Sequence, residues 1–201
     1  MLAEHIVYNT AIAIIAGMLF FRLTGRDSSW IIILVTYVPD LDKITGPFLK
    51  SLGITVLVHG NPIQHGTFHN IAAMILFAIF LAFILSPLGL RFFDTVLFAV
   101  IGFGSHLLED ALVYTSNYAY LWPFYSQRTG LGWLPVSLSE ESYQANFFHI
   151  ANAEVLAIGM LFLAFAIIIR TRFEGPEWIR WYMPKTFYEK YFTSTKVPAA
   201  G

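Results

Sequence analysis

The stretch "GFGSHLLEDALVYT", residues 102–115, decides how this chain folds. It continues an apolar run, "DTVLFAVI" (94–101), yet carries His106, Glu109 and Asp110 within five residues. A charge at the centre of a bilayer costs about 2.5–3.5 kcal/mol, so the two carboxylates left unpaired there would cost about 5–7 kcal/mol. A helix bound for lipid keeps such groups only where something compensates them.

The surrounding chain is that of a membrane protein. Of 201 residues, 57% are hydrophobic and 12% charged, and the mean hydropathy is +0.63. That balance is too apolar for an ordinary soluble domain and predicts an all-α integral membrane protein. The net charge of −1 gives no reason to expect a nucleic-acid partner. With no cysteine, disulfides and thiolate metal sites are excluded. The start, "MLAEHIVYNT", lacks the basic region of a cleavable signal and is expected to be retained in the first helix.

About five transmembrane helices are expected, over 6–21, 30–39, 71–90, 94–114 and 147–169. The second is short: as a helix it reaches about 15 Å, against a hydrocarbon core of about 30 Å. The fourth and fifth are joined by a loop of roughly 30 residues, a length that suggests a lid or binding loop. Residues 1–170 read as one transmembrane domain with its polar site at one membrane face. Residues 171–201, with "EGPEWIRWYMPKTFYEKYF", read as an amphipathic tail holding an interfacial helix at the membrane surface.

Threading this ladder brings the ionisable groups to one face. The first helix starts there with His5, and the second returns there with Asp40 and Asp42. The third leaves from "QHGTFHN" with His65 and His69, the fourth arrives with His106, Glu109 and Asp110, and the fifth starts with His149 and Glu154. His59 falls on the same side. The opposite side holds nine basic residues, among them Arg22, Arg26, Arg91 and Arg172, against Lys43, Lys50 and Arg128 here. The positive-inside rule therefore puts the cluster on the extracytoplasmic face of the inner membrane and the C-terminus in the cytoplasm.

Taken singly, each element has a plain reading. His5 is an interfacial residue, "PDLD" a turn with a helix cap, and "HGTFH" a turn at Gly66. Convergence changes the balance. His106 and Asp110 leave one helix face about 6 Å apart at Cβ, as do His65 and His69 if that stretch is helical. A divalent cation is the simplest compensation for so much buried negative charge. Imidazoles and carboxylates without sulfur suit zinc first, then manganese or iron. The expected ligands are His5, Asp40, Asp42, His65, His69, His106, Asp110 and His149. That surplus over the three protein ligands of one catalytic zinc favours two ions over one, with Asp42 a further ligand or bridge. Glu109 and Glu154 are the candidates for handling a proton.

At these residues the chain resembles the YdjM family of inner-membrane proteins, assigned as metal-dependent hydrolases. The resemblance rests on His5, "PDLD", "QHGTFHN", "GFGSHLLED" and "LWPF" (121–124), in the family's order over residues 5–124. It implies a helical membrane protein with hydrolase activity. One departure stands out: where the family shows His-Arg-Gly-x-x-His, this chain has Gln64 and His65 before Gly66. The ligand order is also faintly similar to that of soluble zinc-dependent phospholipases C and related single-strand nucleases. There the last pair is His-x3-Glu, and here Ala153 stands in place of the Glu, with Glu154 one residue on.

The expected function is a membrane-embedded hydrolase of a phosphoester or lipid-like substrate, using one or two divalent ions. The alternatives are a metal-ion or proton transporter, and a scaffold whose metal only staples short helices. A transporter predicts ionisable groups at more than one depth, whereas the helices are expected to carry none near the opposite face.

Overall fold

The computed structural model describes residues 2–58, 60–115, 118–133, 153–183 and 185. Its elements are α1 (Leu2–Thr24), α2 (Trp30–Leu34), α3 (Asp42–Ser51), α4 (Ile71–Leu85), α5 (Phe92–Val113) and α6 (Ala153–Glu174). A two-stranded antiparallel hairpin, β1 (Leu57–Val58) and β2 (Asn61–Pro62), follows α3. Among the described residues 3-10 turns cover Pro39–Leu41, Ser86–Leu88 and Pro176–Tyr182. The chain is thus an all-α membrane protein with one small hairpin.

Among the described residues four helices, α1, α4 (with its 3-10 extension), α5 and α6, are long and apolar enough to cross a bilayer. The expected second span is the exception. It is a five-residue helix whose Ile31 and Ile32 are fully buried, followed by turns and the 3-10 segment at Pro39. Turns at membrane depth leave backbone groups short of partners unless protein surrounds them. Here α1 and α5 do so, and Ile31, Ile32 and Val35 form one core with Ala13, Phe98 and Ala99. Gly102 makes this fit: a Cβ there would lie 2.8 Å from the Cα and the carbonyl oxygen of Ile32. The first glycine of "GFG" therefore lets α2 lie against α5.

α4 shows why one helix faces lipid. It is apolar on all sides, with Leu76, Phe80 and Phe83 exposed and Ala78, Leu81 and Ala82 packed inward. Its first turn is tied down twice. Asn70 caps it by accepting from the Ala73 amide at 2.9 Å, and the carbonyls of Tyr120 and Trp122 accept from the Ile71 and Ala72 amides. The 120–122 stretch leading into "LWPF" thus supplies acceptors that the helix start lacks.

The opposite end carries a feature the sequence reading did not expect. Arg170, fully buried in α6, donates to Asp27 at 2.6 Å and Glu174 at 3.0 Å. It also reaches the Tyr182 hydroxyl and the Ile14 carbonyl. The expectation of no ionisable group in the helices near that face is therefore corrected. Asp27, a residue of the α1–α2 connection, meets the guanidinium of α6 143 positions along the chain, a pairing no local pattern announces. The 3-10 segment Pro176–Tyr182 packs onto this end, with Trp178 buried and the Tyr182 hydroxyl donating to the Ala13 carbonyl. Most of the expected surface tail beyond it lies outside the described residues.

Candidate metal centre

Five side chains from four elements converge at the end of the bundle where α1 begins. His5 comes from α1, Asp40 from the 3-10 turn, His69 from the approach to α4, and His106 and Asp110 from successive turns of α5. All five are at most 7% exposed. His5 and His106 stack with ring centroids 3.9 Å apart.

The distances have a consistent character. Asp110 carboxylate oxygens lie 3.6 Å from His5 Nε2, 3.4 Å from His69 Nε2 and 3.7 Å from His106 Nε2. Asp40 Oδ1 lies 3.6 Å from His69 Nε2. These are too long for hydrogen bonds, and the buried Nε2 atoms of His69 and His106 have no hydrogen-bond partner. Two donors on one tetrahedral zinc at about 2.0–2.1 Å stand about 3.4 Å from each other. Buried, unpartnered nitrogens facing carboxylates at that spacing are the arrangement a divalent ion completes. Three groups of donor atoms, each within 4.8 Å of one another, describe the cluster: His5, Asp40 and His106; His69, His106 and Asp110; Asp40, His65 and His69.

Supporting contacts fix which nitrogen faces the centre. His5 Nδ1 meets Glu109 Oε2 at 2.8 Å, and His106 Nδ1 meets the Thr36 carbonyl at 2.7 Å. Each bond turns Nε2 toward the carboxylates, the role such outer partners play at histidine–metal sites. Thr36 is held in turn by Asn9, whose Nδ2 donates to Thr36 Oγ1 at 3.0 Å, while Ser105 donates to Asn9 Oδ1. Glu109 and Asp110 are neighbours about 100° apart on α5, and they face opposite nitrogens of the same His5 ring, Glu109 at 2.8 Å and Asp110 at 3.6 Å.

Asp42 does other work. Fully buried, it accepts from the Gly66 and Phe68 amides at 2.8 and 3.1 Å and meets His65 Nδ1 at 3.3 Å. Its nearest approach to His69 is to Nδ1, the nitrogen turned away from Asp40 and Asp110, at 3.5 Å. It belongs to none of the three donor groups. Gly66 completes this loop: its φ of +95° suits glycine, and a Cβ would strike the Tyr118 ring at 2.7 Å. His65 and His69 are therefore joined by a turn rather than by a helix.

His65 sits at the edge of the cluster, half-buried, with Nδ1 3.8 Å from Asp40 Oδ1 and Nε2 bonded to the Tyr118 hydroxyl at 2.6 Å. Gln64 is exposed. Lys43 pairs with Asp40 at 2.8 Å. Burial pushes the Asp40 carboxyl up, but neighbouring positive charge, with the Lys43 ammonium bonded to it at 2.8 Å, outweighs burial and holds it at about 2. For His69, burial outweighs Asp42 and Asp40 and lowers it from its ordinary value. An ionised carboxylate and a neutral imidazole are the forms that bind metal. Glu154 is exposed in the first turn of α6 and belongs to none of the donor groups. His59 and His149 lie outside the described residues.

The sequence reading missed Thr36, Asn9 and Tyr118. Thr36 acts through a backbone carbonyl, which residue type cannot signal. Tyr118 falls in the long loop after the fourth span, where no motif singles it out.

A family model described as "YdjM inner membrane protein" matches residues 1–193, and the chain belongs to that family. No curated protein and no solved structure matches it.

Proposed function

We propose that this integral membrane protein is a metal-dependent hydrolase of a phosphoester. The observation that carries the reading is the set of buried, unpartnered Nε2 atoms of His69 and His106 set against Asp40 and Asp110. His5, Asp40, His69, His106 and Asp110 would hold one or two divalent ions, zinc first among them, with His65 completing the outer group. When bound, such an ion supplies Lewis acidity toward a phosphoryl oxygen and a lowered pKa for water.

The protein's own residues supply orientation and charge. Glu109 and the Thr36 carbonyl hold the His5 and His106 rings, and Asp42 holds the loop that carries His65 and His69. Glu109 Oε1 is buried without a hydrogen-bond partner, which makes this carboxylate the better placed of the two proton-handling candidates. Glu154 is the second. A transporter gains some support from Arg170 at the other end of the bundle. That guanidinium, however, is engaged by two carboxylates, a tyrosine and a backbone carbonyl, the pattern of a structural tie.

Purified protein is expected to cleave a generic phosphodiester or phospholipid, to lose turnover on chelation and to regain it with zinc or manganese. Metal bound stoichiometrically without turnover across a broad ester and phosphoester panel would leave the staple reading in its place. We further propose that the centre faces the extracytoplasmic side. A cysteine at position 43 should then label from outside and one at position 91 from the cytoplasm; the reverse pattern inverts the topology.

A further inference from the structure

We infer that the cleft between α3 and the β-hairpin seats an amphiphile with an anionic headgroup, taken directly from the bilayer surface. The inference rests on the hydrolase reading above and names its substrate class. The cleft has a volume of about 650 Å³ and is the approach to the candidate metal centre, because His65, Asp42 and Lys43 form part of its lining. Its lining combines positive charge with apolar surface. Lys43 and Lys50 stand on the α3 side, while Leu49, Val56 and Ile63 offer apolar surface. Lys43 already pairs with Asp40. Among the described residues, no carboxylate lies within ion-pair distance of Lys50, which is exposed. An anionic head placed at Lys50 and beside His65 would leave its hydrocarbon on the apolar wall.

The outer surface of the same unit says where the ligand comes from. Ile44 and Phe48 of α3 and Leu52, which caps its C-terminus, recur at four-residue spacing, and they are 54%, 59% and 57% exposed. Leu57 of the hairpin is 60% exposed. An apolar stripe on a short helix with lysines beside it is the pattern of an interfacial element lying in the headgroup layer. Asp42, at the start of α3, is bonded to the loop that enters α4, so the stripe lies beside the start of a helix long and apolar enough to cross the bilayer. Gly46 keeps the unit closed, since a Cβ there would collide with the Ile63 carbonyl oxygen of the hairpin side. A soluble phosphoester would need neither the stripe nor the apolar wall.

The test uses the full chain, zinc-loaded, in nanodiscs of neutral lipid, with dodecyl phosphate as the probe and empty nanodiscs subtracted. Inorganic phosphate and dodecanol serve as its two halves. The whole amphiphile should bind at least about tenfold more tightly than either half, since each buried methylene contributes about fourfold in affinity. Lys50→Glu should weaken dodecyl phosphate about tenfold or more through loss of a charged contact. Val56→Trp, which fills the apolar wall, should weaken dodecyl phosphate but not inorganic phosphate. Both variants should keep the wild-type metal content. Metal retained with binding indifferent to both substitutions overturns the cleft assignment alone. Inorganic phosphate binding as tightly as dodecyl phosphate overturns the amphiphile in favour of a soluble ester. Wild-type protein without metal overturns the hydrolase reading and this inference together.

Discussion

Replacing Glu109 separates a metal-supporting role from a merely structural one, because the two predict opposite signs. Glu109 Oε2 meets His5 Nδ1 at 2.8 Å with both side chains at most 4% exposed. If His5 Nε2 is a ligand, this bond fixes the tautomer and raises the basicity of the ring. Loss of such an outer partner costs about 10–100-fold in metal affinity, or about 1.4–2.7 kcal/mol. Glu109→Gln can still accept from Nδ1–H but lacks the charge, so it should fall near the tenfold end. Glu109→Ala leaves Nδ1 without its acceptor and should approach a hundredfold. In the metal-free protein the carboxylate is a liability even with its one bond to His5, since burying a charge destabilises. Apo Glu109→Gln should therefore unfold at the same temperature as apo wild type, or above it. Zinc competition against a chromophoric chelator in nanodiscs gives the affinities, and thermal unfolding of apo and zinc-loaded samples gives the stabilities. Unchanged zinc affinity in both variants, or an apo protein destabilised as much as the loaded one, would refute the reasoning.

Other expectations follow from the packing. Gly102→Ala places a methyl against the Ile32 backbone and pushes α2 from α5, at about 1–3 kcal/mol for overpacking. Because α2 leads to Thr36, metal content should fall with stability, whereas Gly104→Ala, whose nearest neighbour is the flexible Met74 sulfur at 3.4 Å, should leave both intact. Asp27→Asn removes one carboxylate from the buried Arg170 network and should lower the Tm, at a cost of about 3 kcal/mol. It should leave zinc stoichiometry unchanged. A drop in metal content there would show that the two ends of the bundle communicate, as a transporter requires.

How far the sequence carried the account depends on the range of each interaction. The His106–Asp110 pair was legible because one helical turn sets its geometry, and the family's motifs were legible in "PDLD" and "GFGSHLLED". The roles inside those motifs were less so. A 3-10 turn at Pro39 running into α3 sends Asp40 to the donor cluster and Asp42 to the amides of the 65–69 loop, and the residue types alone do not say which goes where. "HGTFH" looks like a helical pair, yet the positive φ of Gly66 makes it a turn that delivers both rings from one loop. Arg170 reads in the sequence as one more basic residue at the end of the last span, because its partners are 143 positions away at Asp27 and one turn on at Glu174. The brevity of the second segment was visible, but not its cause: a slot between α1 and α5 that solvates turns with protein.

The most direct test of the central claim is element-resolved metal analysis of the purified protein beside a His106→Ala/Asp110→Ala variant. The account predicts about one or two equivalents of a divalent transition metal per wild-type chain, as a histidine and carboxylate site would hold, and its loss in the variant. Equal metal content in the two, or none in the wild type, would contradict it.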